Sequence, residues 1–202
     1  MKRSSRMQAL TYSGLGIALL IVAAQIMVPF GVIPVTLQSL AVFSIIMLFS
    51  PMEAVATIGG YILLGALGLP VGAGFNGGLG WLLGPTGGFL AGFLLASIVA
   101  AVIRKAVGQP STAKAESALD ICLGLTTLVC YYCLGAAWLM FVSQTTLAAA
   151  AAVAVLPFLV PDAAKLLAAI SCVRALRKVL RPESLNELCE RCSDQSLSAR
   201  DS

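Results

Sequence analysis

Two charged residues in the second half of the chain are the strongest candidates for chemistry. Asp162 and Lys165 stand three positions apart in the stretch Pro-Asp-Ala-Ala-Lys, a spacing that places both side chains on one face of a helix. Between Asp120 and Arg174 the sequence has no other charged residue. The pair either binds a polar ligand, or it is an ordinary helix start in which Asp162 follows Pro161 and forms an ion pair with Lys165.

A glycine-rich stretch is the second candidate site. Of the 19 glycines in the chain, 13 fall between Gly59 and Gly92. Gly77 and Gly78 allow a tight loop that brings backbone N–H and C=O groups against a small ligand. Asn76 carries the one side-chain amide of this loop and can donate and accept hydrogen bonds at once. A flexible loop that binds nothing is the alternative.

Several kinds of chemistry are excluded by what the sequence lacks. It has no histidine, which removes Ser-His-Asp and Cys-His nucleophilic sites as well as the commonest zinc ligand. Four of the six cysteines lie in apolar segments, and Cys189 and Cys192 form a single CxxC pair without partners. The glycine stretch contains no GxxxxGK[ST] phosphate loop. We therefore expect no catalytic residue, no metal, no cofactor and no nucleic-acid partner.

The composition places these candidates in a membrane. Of 202 residues, 59% are hydrophobic and 11% are charged, and the mean hydropathy is +0.95. Soluble domains carry roughly 25% charged residues. A chain that crosses the ~30 Å hydrocarbon core must satisfy its own backbone hydrogen bonds, and helices do this. The sequence predicts an all-α integral membrane protein.

Six apolar segments are predicted to span the membrane, with the glycine-rich outer loop between the third and the fourth. A short outer helix within the alanine-rich residues 148–160 precedes the sixth, which we expect to start only after Pro157, Pro161 and Asp162. These spans form a membrane domain of residues 1–181, followed by a short polar cytoplasmic tail of residues 182–202. The predicted spans are residues 9–28, 36–49, 54–69, 85–103, 119–142 and 163–180.

Positive charge supports this count of spans. Cytoplasmic loops carry an excess of Lys and Arg, and with six spans all three basic clusters fall on one side. The loops predicted for the other side, residues 29–35, 70–84 and 143–161, contain no Lys or Arg. Both termini are thus predicted to be cytoplasmic. The clusters are Lys2, Arg3 and Arg6; Arg104, Lys105 and Lys114; and Arg174, Arg177, Lys178 and Arg181.

Four stretches in order along residues 8–180 resemble the signature blocks of the BioY family. They are Pro34-Val-Thr-Leu-Gln38, Leu64-Gly-Ala-Leu-Gly-Leu-Pro-Val71, Gly84-Pro-Thr-Gly-Gly-Phe-Leu-Ala-Gly-Phe93 and Leu156-Pro-Phe-Leu-Val-Pro-Asp-Ala-Ala-Lys165. The family comprises the biotin-binding S components of energy-coupling-factor (ECF) transporters. The resemblance implies a six-helix fold in the cell inner membrane that captures biotin outside. It also implies as partners a transmembrane coupling protein and two ABC-type ATPases.

The resemblance also implies which residues bind the ligand. Matched position by position, the family pattern assigns binding to Asn76, Asp162 and Lys165, and it places Thr36 and Gln38 near the outer end of the second span.

This sequence departs from the family pattern at two places. Gly72 stands where the family usually has an aromatic residue, and Pro161 stands where it usually has glycine. Phe75 or Trp81 is expected to replace the missing ring.

Small residues on the first helix indicate a docking surface. Gly14 and Ala18 form a small-xxx-small step that lets another helix approach closely, and the family resemblance implies partner docking there. Packing within the same bundle is an equal alternative.

Other functions also stay open, namely uptake of a different vitamin or small heterocycle, with or without a partner, and, less favoured, an intramembrane enzyme.

Overall fold

The structure is a computed structural model that describes residues 6–29, 33–108, 110 and 112–179. The described part is mostly helical. Its elements are α1 (Arg6–Gln25), β1 (Met27–Val28), β2 (Val35–Thr36), α2 (Gln38–Leu48), α3 (Pro51–Ala66), a 3₁₀ turn (Ala73–Phe75), α4 (Leu79–Leu83), α5 (Gly87–Val107), α6 (Ala113–Ser143), α7 (Leu147–Ala154) and α8 (Leu156–Val179).

Four of the described helices are long and apolar enough to cross a membrane. They are α1 from Met7, α5, α6 and α8. The second and third predicted spans correspond to shorter apolar helices, because α2 has 11 residues and α3 has 16. A straight crossing takes about 20 residues. The structure thus bears out a multi-helix membrane protein at the coarse level, and six complete spans remain a prediction.

The start of the last helix differs from the prediction. We expected the sixth span to begin after Asp162, whereas α8 begins at Leu156 and continues through Pro161. Pro157 lies in the first turn, where a backbone N–H has no helical partner. Pro161 then removes a single bond of the ladder, a loss that membrane helices tolerate. Asp162 is therefore not a first-turn acid, and the helix-start explanation of the charge pair is wrong.

A small β-ribbon is a second departure from the all-helical prediction. β1 and β2 pair antiparallel, with Met27 opposite Thr36 and Val28 opposite Val35. Val28 precedes a proline, which biases its backbone toward the extended region. The ribbon holds the end of α1 next to the segment that enters α2.

Arg104, near the end of α5, lies beside the last turn of α2. It therefore marks the end of the bundle that is away from the first turn of α2. Its guanidinium donates to the carbonyl oxygens of Ile46 (3.1 Å), Met47 (2.9 Å) and Phe49. The last carbonyls of any helix lack helical partners, so Arg104 satisfies the end of α2. The first turns of α2 and α5 consequently lie together at the other end.

The chain comprises two compact units that meet at Ile170 and Ser171. The first unit extends to this residue and contains all elements through α7 and the first part of α8. The second unit starts at Ser171, and its described residues, 171–179, are the last turns of α8, with Arg177 and Lys178 in the final turn. The predicted tail of residues 182–202, including the CxxC pair, lies outside the described residues.

Candidate ligand-binding site

A cavity of about 210 Å³ lies among the N-terminal halves of α2, α5 and α8, the glycine-rich segment and the second half of α6. Its wall combines apolar and aromatic side chains with nine residues that carry polar groups, a mixture that suits a small molecule with both kinds of surface. The polar lining residues are Thr36, Gln38, Ser39, Asn76, Thr86, Tyr131, Tyr132, Asp162 and Lys165; the others are Ile33, Pro34, Ala73, Trp81, Phe89, Leu90, Phe93 and Phe158.

The predicted charge pair forms a buried ion pair in this cavity. Lys165 Nζ lies 2.8 Å from Asp162 Oδ1, and the two residues are 9% and 2% exposed. Lys165 Nζ also donates to Ser39 Oγ at 3.1 Å, and the Ser39 hydroxyl donates to Asp162 Oδ1 at 3.0 Å. Ser39 on α2 thereby closes a three-membered polar cluster with the two charges on α8.

The second oxygen of Asp162 is held by two neighbouring tyrosines of α6. The hydroxyls of Tyr131 and Tyr132 both donate to Asp162 Oδ2, the latter at 2.8 Å. A carboxylate has about four acceptor sites, and four donors from within the chain reach this one. Asp162 therefore joins α2, α6 and α8 and orders the floor of the cavity. A ligand N–H that binds to it must share or displace one of these donors.

Gln38 brings an unsatisfied donor to the cavity. This residue is 7% exposed, and its Nε2 has no hydrogen-bond partner among the described residues. Buried polar groups are nearly always paired, and an orphan indicates a missing partner. Gln38 lines the cavity, so this N–H group is available to an acceptor there.

Asn76 lines the same cavity from the glycine-rich segment, and Thr36 lines it from β2. Asn76 Nδ2 donates to the carbonyl oxygen of Ala73 at 2.7 Å, which leaves its second N–H and its oxygen for other partners. Thr36 Oγ1 accepts from the Gln38 backbone N–H at 3.3 Å. All five predicted polar residues, Thr36, Gln38, Asn76, Asp162 and Lys165, therefore lie around one cavity.

Trp81 supplies an aromatic wall because two glycines leave room for its indole. A Cβ atom built at Gly72 would lie 2.6 Å from the ring, and one at Gly65 would collide with it as well. Tyr61 packs edge-on against the same ring at a centroid distance of 6.0 Å. The family usually has an aromatic residue at the position of Gly72. In this chain the glycine leaves space at that position, and the indole of Trp81 lies against it.

Phe75, Gly77 and Gly78 do not line the cavity. Phe75 is 69% exposed, so of the two expected rings Trp81 is the one at the cavity. Gly77 passes close to the Leu69 carbonyl, where a Cβ would collide, and Gly78 has a φ of 82°. These two glycines shape the segment that carries Asn76, rather than contacting the cavity.

Sequence reasoning missed Ser39 and the tyrosine pair. The adjacent tyrosines interrupt an otherwise apolar span, and this pattern could have identified them as site residues. Ser39 could not be identified in this way, because small hydroxyl residues are common in membrane helices. The aromatic side chains Phe89, Phe93 and Phe158 were missed because an apolar residue gives no sign of facing a cavity. Within the described residues, no group of three or more His, Cys, Asp or Glu side chains could hold a metal ion.

The apolar helices surround a small cavity that contains a buried ion pair. These features define a class, the multi-pass membrane proteins that bind a small molecule within the bundle. The model of one family, BioY, matches residues 1–182. This chain belongs to the BioY family, which confirms the resemblance found in its motifs.

Named relatives cover most of the chain. The biotin transporter BioY of Thermotoga maritima is 35% identical over 173 residues, which are 86% of this chain and 98% of that protein. A probable biotin transporter BioY of Pyrococcus horikoshii is 37% identical over 76% of this chain and 86% of its own length.

A solved structure shares the fold. The crystal structure of the S-component for biotin from an ECF-type ABC transporter superposes with a TM-score of 0.76 at 27% identity, covering 88% of this chain and 95% of that one.

Proposed function

We propose that this protein captures biotin as the substrate-binding S component of an ECF-type ABC transporter. The observation that carries the proposal is the cavity around the buried Asp162–Lys165 pair, found in a chain that covers 98% of a relative named biotin transporter. An S component binds and delivers its substrate without transforming it, so the protein acts in transport and is not an enzyme.

The chemistry of biotin fits the polar groups around the cavity. Its ureido ring offers two N–H donors and one strong acceptor, its thiophane ring is apolar, and its valerate chain ends in a carboxylate. Gln38 Nε2 and the third N–H of Lys165 can donate to an acceptor, and Asn76 can both donate and accept. Trp81 and Phe93 provide apolar surface for the fused rings.

Energy for uptake must come from partner subunits, since the sequence has no phosphate-binding loop of its own. We infer that a transmembrane coupling protein and two ABC ATPases supply it. Gly14 and Ala18 on α1 support a docking surface, because both are exposed and a Cβ built at Gly14 meets no atom within 4 Å. Such positions favour contact with another helix over packing inside the bundle.

The orientation in the membrane is part of the same proposal. Six spans place both termini in the cytoplasm, and the short helices α2 and α3 count as the second and third. The basic residues at the end of α5, at the start of α6 and in the last turn of α8 support this orientation. The cavity, at the opposite end from Arg104, then faces the outside.

Equilibrium binding of labelled biotin to the detergent-purified protein tests the function. We expect saturation near one biotin per chain, with competition by unlabelled biotin and none by riboflavin or thiamine at the same concentration. Stoichiometric saturation by another vitamin, with no binding of biotin, would replace the substrate and leave the class of transporter unchanged.

A further inference from the structure

The side-chain amide of Gln25 bridges two backbone groups of the glycine-rich segment. Gln25 is the last residue of α1, and its Nε2 donates to the Gly72 carbonyl oxygen at 2.9 Å. Its Oε1 accepts the Phe75 backbone N–H at 3.1 Å. One amide thus binds both sides of the 3₁₀ turn at Ala73–Phe75, which lies almost fifty residues away in the chain.

The turn that Gln25 holds has an unusual backbone. Gly74 has a φ of 68° and Phe75 a φ of 58°, so two consecutive residues are left-handed. A bulky residue rarely adopts this conformation, which persists only where the surroundings determine it. The Gln25 bond to the Phe75 N–H fixes the turn from outside, and the Gly72 N–H closes it from within by donating to the Asn76 carbonyl oxygen at 2.8 Å.

The shape of this turn determines where Asn76 lies. Asn76 directly follows Phe75, and its side chain is tied back to the Ala73 carbonyl oxygen within the same turn. Ala73 and Asn76 both line the cavity, whereas Gln25 does not. Both side-chain hydrogen bonds of Gln25 end on this turn, so they link Gln25 to the cavity through Ala73 and Asn76.

We propose that Gln25 is a positioning residue for ligand capture, which holds the turn of residues 72–76 so that Asn76 stays at the cavity and slows ligand release. The inference rests on the proposed function, namely that the cavity binds biotin. It adds a role for the end of α1 that the site residues alone do not imply. Most changes in affinity within one binding site appear in the dissociation rate, and a loosened turn should act in that way.

The test replaces the amide by an apolar side chain of similar shape. In detergent-purified Gln25→Met we expect biotin to dissociate about tenfold faster, with an association rate within about threefold of wild type. Thr11→Val is the matched control, because Thr11 is also polar and on α1, but its hydroxyl donates to the Met7 carbonyl oxygen of its own helix. Should Gln25→Met fail to fold, Gln25→Ala carries the same expectation.

A double-mutant cycle separates positioning from general destabilisation. If Gln25 acts through Asn76, adding Gln25→Met to Asn76→Ala should change the affinity by less than about twofold beyond Asn76→Ala alone. An unchanged dissociation rate in the single variant, or fully additive losses in the pair, would overturn the inference while leaving biotin binding established.

Hydrogen exchange gives a readout that needs no ligand. In Gln25→Met the backbone amides of residues 72–78 should exchange at least about fivefold faster than in wild type, with exchange in α5 and α6 unchanged. Equal exchange in this segment would overturn the inference even if biotin proved not to bind. Absence of biotin binding by the wild-type protein would instead refute the proposed function, and the exchange result would then decide the role of Gln25 in holding the turn.

Discussion

At the scale of single residues, the Asp162–Lys165 pair has two tasks. It joins three helices through hydrogen bonds from Ser39, Tyr131 and Tyr132, and it lines the cavity. Removing one member of a buried ion pair leaves an uncompensated charge and costs about 3–5 kcal/mol, while replacing both members is often neutral for stability. Single and double replacements can therefore separate folding from binding.

We predict that Lys165→Met and Asp162→Asn each weaken biotin binding by at least about thirtyfold and also lower the thermal stability. A thirtyfold change corresponds to about 2 kcal/mol, the lower end of what truncating a buried charged contact costs. Equilibrium binding and thermal unfolding, measured on the same purified samples, check both effects.

The double variant Asp162→Asn with Lys165→Met is the control for this prediction. It should unfold within a few degrees of wild type, because no charge is left buried alone, yet bind biotin as poorly as the single variants. Near-wild-type affinity in the double variant would show that the pair is only structural.

The residues of the site differ in how visible they are in the sequence. Asp162 and Lys165 could be predicted because a charge is rare in so apolar a chain. Ser39 could not, since its importance depends on α2 and α8 meeting in space. The choice between Phe75 and Trp81 was also beyond the sequence, because it depends on the left-handed backbone that exposes Phe75 and on the space above Gly65 and Gly72.

At the scale of elements, α2 is short and is held at both ends. Gln38 and Ser39 in its first turn belong to the cavity, and Arg104 binds the carbonyl groups at its last turn. An arginine here contributes charge-assisted hydrogen bonds in a fork geometry that lysine cannot reproduce. The position of the Gln38 amide therefore depends in part on a residue at the other end of the bundle.

We predict that Arg104→Met lowers the thermal unfolding temperature by about 3–12 °C. Hydrogen bonds to a charged group contribute about 1.5–3 kcal/mol, and a chain of this size shifts by about 2–4 °C per kcal/mol. Arg104→Lys should fall between Arg104→Met and wild type.

Lys105→Met is the matched control, because it removes the same charge from the neighbouring, exposed position. It should unfold within about 1 °C of wild type. An equal loss in Arg104→Met and Lys105→Met would point to the net charge at the end of α5 and contradict a role in capping α2.

Helix existence was easier to predict than helix ends. Hydropathy located all of the long helices, because a membrane span leaves a continuous apolar signal. The predicted start of α8 was too late, because Pro157 and Pro161 are residues that usually interrupt a helix. Pro157 lies in the first turn, where its missing N–H has no effect, and the sequence alone does not reveal this position. The β-ribbon was missed because two residues per strand form too short a pattern.

At the scale of the whole molecule, the orientation can be tested by labelling. In a background without native cysteines, we predict that Leu79→Cys and Gln144→Cys react with an impermeant thiol reagent added outside intact cells, while Lys114→Cys reacts only after permeabilisation. All three side chains are exposed in the structure, so access depends on the side of the membrane. Labelling of Lys114→Cys alone would invert the proposed orientation.

Partner docking is a second property of the whole molecule. We predict that Gly14→Leu combined with Ala18→Leu abolishes biotin uptake by cells that contain the partner subunits, yet leaves binding by the purified protein within about threefold of wild type. Bulky side chains at a small-xxx-small step prevent the close approach of another helix.

The control for docking is Ala137→Leu, which adds the same three carbons as Ala18→Leu at an exposed position of α6. It should affect neither uptake nor binding. Parallel loss of uptake and binding in the α1 variant would indicate that the two small residues pack within the bundle.

The saturated hydrogen bonding of Asp162 has a consequence for how ionic conditions act on the protein. Because Ser39, the two tyrosines and Lys165 already surround this carboxylate, its dehydration belongs to folding and not to the arrival of a ligand. The opposite charges of Asp162 and Lys165 also offset each other, so the pair produces only a weak field in solution, and salt screens mainly exposed charges. Biotin capture by such a site should therefore proceed almost equally well in fresh water and in brine.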